Sequence, residues 1–85
     1  MMYREYLSRA LNVDMDSLKD ELRLKLILKA RLTKKELKIL NGSIGGEEVE
    51  PLIQSLNIDS SRYRELKLNI ERKLNSQKLL KEIFK

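Results

Sequence analysis

The chain has 85 residues, with 18 Lys or Arg against 13 Asp or Glu, a net charge of +5, and neither Cys nor His. That excludes a disulfide framework and any metal or nucleophile chemistry built on thiols or imidazoles. With 3 Gly and 1 Pro in a chain dominated by Leu, Lys, Glu, Arg and Ile, the expected class is all-α.

The predicted architecture is a small bundle of about five helices with a long C-terminal helix. The expected division is an N-terminal helical hairpin over residues 1–31, for support or dimerisation, followed by residues 32–85, the two forming one compact domain overall. A domain of this size buries only about 60–65% of its unfolded surface. A homodimer through the N-terminal helices or the C-terminal tail is a natural way to enlarge such a core.

A first amphipathic helix is expected from Met2 to Asn12. Tyr3, Tyr6, Leu7, Ala10 and Leu11 fall on one face. The N-terminal stretch holds no apolar run long enough for a signal peptide. Asp14, Asp16 and Ser17 are alternative caps for a second helix running from about residue 15 to Arg31. Leu22, Leu24, Leu26 and Leu28 alternate as a strand would. The helix formers around them, and the lack of any strand to pair with, favour a helix. Its leucines nearly encircle the axis, which implies cover from several neighbours or a place in a dimer interface. Arg23, Lys25 and Lys29 interrupt this stretch, so no membrane span is expected and the chain reads as cytoplasmic.

Thr33 and Glu36 have capping-box spacing and open a short third helix. Asn41-Gly42 is the expected stop, with a loop from Ser43 to Gly46. The fourth helix starts near Glu47 with an acidic first turn, and Pro51 is tolerated only there. Val49, Leu52, Ile53 and Leu56 should face inward. Asn57 should be a left-handed turn residue, Ile58 a plug and Asp59 or Ser60 the cap of the fifth helix. Tyr63, Leu66, Ile70 and Leu74 then point inward. Asn75-Ser76 either kinks this helix or lets Ser76 cap a separate one carrying Leu79, Leu80, Ile83 and Phe84.

Residues 32–74 resemble region 4 of sigma-70-type transcription factors and the related helix-turn-helix of response-regulator output domains. The matching pieces are Leu32-Thr33-Lys34-Lys35-Glu36 with Leu37 and Leu40, then Glu47-Glu48-Val49 with Leu52. They continue with the turn Leu56-Asn57-Ile58, Arg62-Tyr63-Arg64-Glu65-Leu66, and Arg72-Lys73-Leu74. The chain departs from the family at Ile53, where a small residue is usual, and at Asn57, where glycine is. It departs again at Ser60 and Ser61, where Arg and Glu are common. The last departure removes a strong base-reading group.

The resemblance implies a DNA-binding transcriptional regulator whose helix from about residue 60 enters the major groove of double-stranded DNA. Ser60, Ser61, Arg64 and Glu65 would face base edges, with Arg64 suited to guanine and Glu65 to cytosine. Lys34, Lys35, Arg62, Lys67 and Arg72 would contact phosphates. The alternative is an adaptor with a degenerate helix-turn-helix that docks on a protein partner, such as the transcription machinery. Exposed apolar area on the first, second or last helix would favour the adaptor. A continuous positive face on the fifth would favour DNA. Neither reading needs a catalytic residue, cofactor or metal, and the chain offers no motif for an enzyme.

Overall fold

The computed structural model describes residues 3–85, so the expected start of the first helix at Met2 lies outside the described residues. Its order is α1 (Tyr3–Leu11), a 3-10 turn (Met15–Ser17), α2 (Glu21–Arg31), α3 (Lys34–Ile44), α4 (Val49–Leu56), α5 (Ser60–Leu74) and α6 (Gln77–Ile83). The chain is all-helical and compact, with a radius of gyration of 12.8 Å. No described helix is long and apolar enough to cross a membrane.

Among the described residues six α-helices stand where about five were expected, because Asn75-Ser76 separates a final helix from the fifth, the second of the two alternatives at that point, while the second helix is only shortened. The second begins at Glu21 rather than near residue 15. Asp20 caps it by accepting from the Arg23 amide at 2.8 Å. The segment before it is extended at Leu18, which forms an antiparallel bridge with Phe84. The long C-terminal helix ends at Leu74, and Ser76 caps α6 through its hydroxyl and the Leu79 amide. The Leu22–Leu28 stretch is helical despite its alternation. Leu24 and Leu28 are fully buried, while Leu22 and Leu26 are exposed, so neighbours cover one side of α2 only.

α3 is longer than expected. Asn41-Gly42 does not stop it, and the helix continues to Ile44 with Gly45 as its cap. Gly42 is buried where α4 crosses α3. A Cβ there would lie 3.0 Å from a Leu52 methyl and 3.0 Å from a Glu47 carboxylate oxygen. The glycine therefore serves close helix approach rather than chain termination. α4 begins at Val49 with Glu48 before it, and Val49 is exposed rather than inward. Ala10, expected on the inner face of α1, is exposed as well.

One core joins all of these elements. Tyr3 and Leu7 of α1 meet Leu24 and Leu28 of α2, Ile39 and Leu40 of α3, Leu66, Ile70 and Leu74 of α5, and Leu79 and Ile83 of α6. α3 packs most extensively on α5 and also touches α4 and α2, while α2 lies against α1 and α6. The first amides of α1, from Tyr3 and Arg4, donate to the Glu21 carboxylate at 2.7 and 3.0 Å. A residue of α2 thus satisfies groups that an isolated helix leaves open.

Candidate nucleic-acid interface

Three residues, Asn57 to Asp59, separate α4 from α5. Asn57 sits at φ 56 and ψ 47, a left-handed conformation that Asn tolerates better than most residues. Ile58 is half-buried against the core, and its amide donates to the Ile53 carbonyl at 3.3 Å. Asp59 caps α5 by accepting from the Arg62 amide at 2.7 Å. The turn is therefore held by a left-handed residue, an apolar plug and a side-chain cap in succession.

Leu66, Ile70 and Leu74 fix the inner side of α5. Given that phase, Ser60 and Arg64 share one flank of the helix, and Ser61, Glu65, Leu68 and Arg72 run along its outermost line. Ser60, Ser61, Arg64 and Glu65 are all exposed in the first two turns. Arg64 makes no ion pair among the described residues. Glu65 is engaged: the Arg62 guanidinium lies 2.8 Å from its carboxylate. One base-reading candidate and one phosphate candidate therefore neutralise each other on the helix surface.

The remaining phosphate candidates are dispersed. Lys67 is half-buried, with its ammonium 3.5 Å from the Ser43 hydroxyl of α3. Arg72 is exposed in the last turn of α5. It lies about 16 Å along the axis from Ser61 at the usual helical rise. Lys34 and Lys35 are exposed in the first turn of α3, at the end that Glu36 fastens to Lys73. The structure thus gathers Ser60, Ser61 and Arg64 at the start of α5, and sets Lys34, Lys35 and Arg72 toward its far end. Between them stand exposed Leu68, 52% accessible, and exposed Glu71. The positive face of α5 is not continuous.

The sequence reading anticipates neither Lys38 nor the burial of Glu36 and its bond to Lys73. Lys38 is exposed one turn after Lys34 and adds a third cation to the outer side of α3. The spacing of four alone would have revealed it. Glu36 is buried to 2% accessibility. Its carboxylate accepts from the Thr33 amide at 2.9 Å and from the Lys73 ammonium at 2.6 Å, while the Thr33 hydroxyl accepts from the Glu36 amide at 3.2 Å. Burial by itself pushes the Glu36 carboxyl up. The bonds from Lys73 and Thr33, with the Lys73 charge, outweigh this and hold it below the usual carboxylate range. The capping box of α3 is therefore also a clamp on α5.

Among the described residues, no group of three or more acidic, His or Cys side chains is arranged to hold a metal ion. No family model matches the chain, and no curated protein or solved structure gives a significant match.

Proposed function

We propose that α3, α4 and α5 form a helix-turn-helix that docks on duplex DNA with the start of α5 in the major groove. The observation that carries this reading is the tight Asn57–Asp59 turn, which leaves Ser60, Ser61 and Arg64, the last without an ion pair among the described residues, exposed on the first turns of a well-anchored helix. A helix presented in this way reaches base edges with its N-terminal residues. Arg64 is the base-reading group, donating to guanine O6 and N7. Ser60 and Ser61 add short, sequence-tolerant hydrogen bonds. Lys34, Lys35, Lys38 and Arg72 contact phosphates and supply affinity without sequence information. Arg62 and Glu65 stay paired in the free protein, and Arg62 joins the phosphate contacts only when that pair opens.

The test is fluorescence anisotropy of a labelled random-sequence duplex titrated with the protein at several salt concentrations. Binding that weakens steeply with salt is the expected result, because phosphate contacts release counterions. Absence of binding at low salt sinks the proposal. A second reading, a protein-docking adaptor whose helix-turn-helix does not read bases, is favoured by the interruption of the positive face of α5 at Leu68 and Glu71 and by exposed Leu22 and Leu26 on α2.

A further inference from the structure

α2 carries an apolar ridge that its own fold leaves uncovered. Leu24 and Leu28 define the buried side of the helix, and Leu22 and Leu26 project from roughly the opposite side. They are 66% and 58% accessible, the two highest values among the large exposed hydrophobic side chains. Being four residues apart, they stand one above the other. Lys25 and Lys29 flank the ridge on one side, and Arg23 and Ala30 on the other. All four flanking residues are exposed, and the two lysines make no ion pair among the described residues.

The charge beside this ridge is predominantly positive: Lys25 and Lys29 make no ion pair among the described residues, while Arg23 lies 3.6 Å from the exposed Asp20 carboxylate. On the Arg23 side it continues into a cleft that Arg4, Lys19, Arg23 and Lys85 line together with Asp20. The two acids of the α2 N-terminus are already engaged. Asp20 caps the helix and lies 3.6 Å from Arg23, and Glu21 accepts the first amides of α1. The exposed surface is thus a pair of leucines bordered on one side by two lysines that make no ion pair among the described residues, and on the other by the Arg23–Asp20 pair.

We infer that the Leu22–Leu26 ridge of α2, with Arg23, Lys25 and Lys29 beside it, is the docking site for an acidic amphipathic helix of a partner protein. The apolar stripe of that helix packs on the two leucines while its flanking carboxylates meet the three cations. A second copy of this chain is the wrong occupant. A two-fold contact through α2 would set Arg23, Lys25 and Lys29 of each copy against the same cations of the other. DNA is the wrong occupant too, because the centre of the surface is leucine rather than a hydrogen-bonding group. A membrane surface requires a broad apolar face, and the rest of the apolar surface of α2 is spent in the core. The inference does not depend on what α5 binds.

The experiment uses the full chain and a fluorescein-labelled helical peptide of Glu, Ala and Leu, with leucines at every third and fourth position. Saturable binding is expected, weakening at least about tenfold in a Leu22→Ser/Leu26→Ser double variant and falling with added salt. Both leucines are exposed, so the variant should keep the wild-type melting temperature and the wild-type response to duplex DNA. A matched peptide with Lys in place of Glu should not bind. The inference is overturned if the acidic peptide fails to bind, if the double variant binds it equally, or if the Lys peptide binds as well. Co-sedimentation of the protein with phosphatidylglycerol vesicles, lost in the double variant, would reassign the ridge to a membrane surface.

Discussion

Arg64 and Glu36 are charged residues with opposite circumstances. Arg64 is exposed and makes no ion pair among the described residues, so its guanidinium is available to a ligand. If it reads a guanine, Arg64→Ala should weaken duplex binding by about 1–3 kcal/mol and relax sequence preference. Anisotropy titrations on a selected site and on random duplex check both effects. Equal affinity for both proteins removes Arg64 from the reading face. Glu36 is buried and triply engaged. Its carboxyl is held below the ordinary value of 4.5, so it binds a proton less readily in the folded chain than in the unfolded one. Its contribution to stability is complete above pH 4.5 and is lost as pH falls below 4.5 through the depressed folded-state value. Glu36→Gln should therefore lower stability at neutral pH by about 1–3 kcal/mol, the usual cost of weakening a buried charged hydrogen bond. The gap to wild type should narrow in acid. Thermal melts of both proteins across pH 3–7 read this directly, and parallel curves would contradict it.

At the scale of elements, the turn between α4 and α5 sets how the outer residues of α5 are presented. Asn57 at φ 56 occupies a region that costs an ordinary L-residue roughly 1–2 kcal/mol. Asn57→Gly should hold or raise stability, and Asn57→Ala should lower it by about 1 kcal/mol. Chemical denaturation ranks the three proteins, and an alanine variant as stable as wild type would mean that the turn relaxes to another geometry. Leu66 anchors the other side of the same helix at 3% accessibility. Leu66→Ala should cost about 2–5 kcal/mol through lost burial and the cavity left behind. A change within error would show that the turn, rather than this contact, holds α5 in place.

The parts that were readable in advance are those dictated by local chemistry: the Thr33–Glu36 capping box, the left-handed Asn57, a cap at Asp59 or Ser60, which the structure resolves to Asp59, and the inward spacing of Leu66, Ile70 and Leu74. The parts that were not depend on distant partners. Gly42 looks like a stop signal until α4 is seen to lie against it. The residues before Glu21 look helical until Phe84 pairs with Leu18. The pairing of Arg62 with Glu65 has a helical spacing that the sequence displays, but the choice between that partner and a ligand is not a local property.

For the whole molecule, charge and apolar surface are distributed unevenly. Lys34, Lys35, Lys38 and Arg72 give a dispersed positive field around α3 and the end of α5. Leu22 and Leu26 sit among the cations of α2. The proposed DNA contact and the proposed acidic-helix contact therefore fall on different surfaces. The two proposed contacts should separate by mutation. Arg64→Ala acts on the first and the Leu22→Ser/Leu26→Ser pair on the second, since changes at sites without shared partners are close to additive.

The contact of the C-terminal segment with the stretch between α1 and α2 has a consequence for biosynthesis. The Lys19 amide donates to the Ile83 carbonyl at 2.9 Å, the Lys85 amide donates to the Ser17 carbonyl at 3.0 Å, and Leu18 pairs with Phe84. Leu18 and Ile83, both fully buried, belong to the same core. A nascent chain still lacking α6 has therefore made its first two helices without the surface that seals them. Long-range closure of this kind comes late, because the loop it closes spans most of the chain. Sealing of the core over Leu18 therefore depends on a segment more than sixty residues away in sequence.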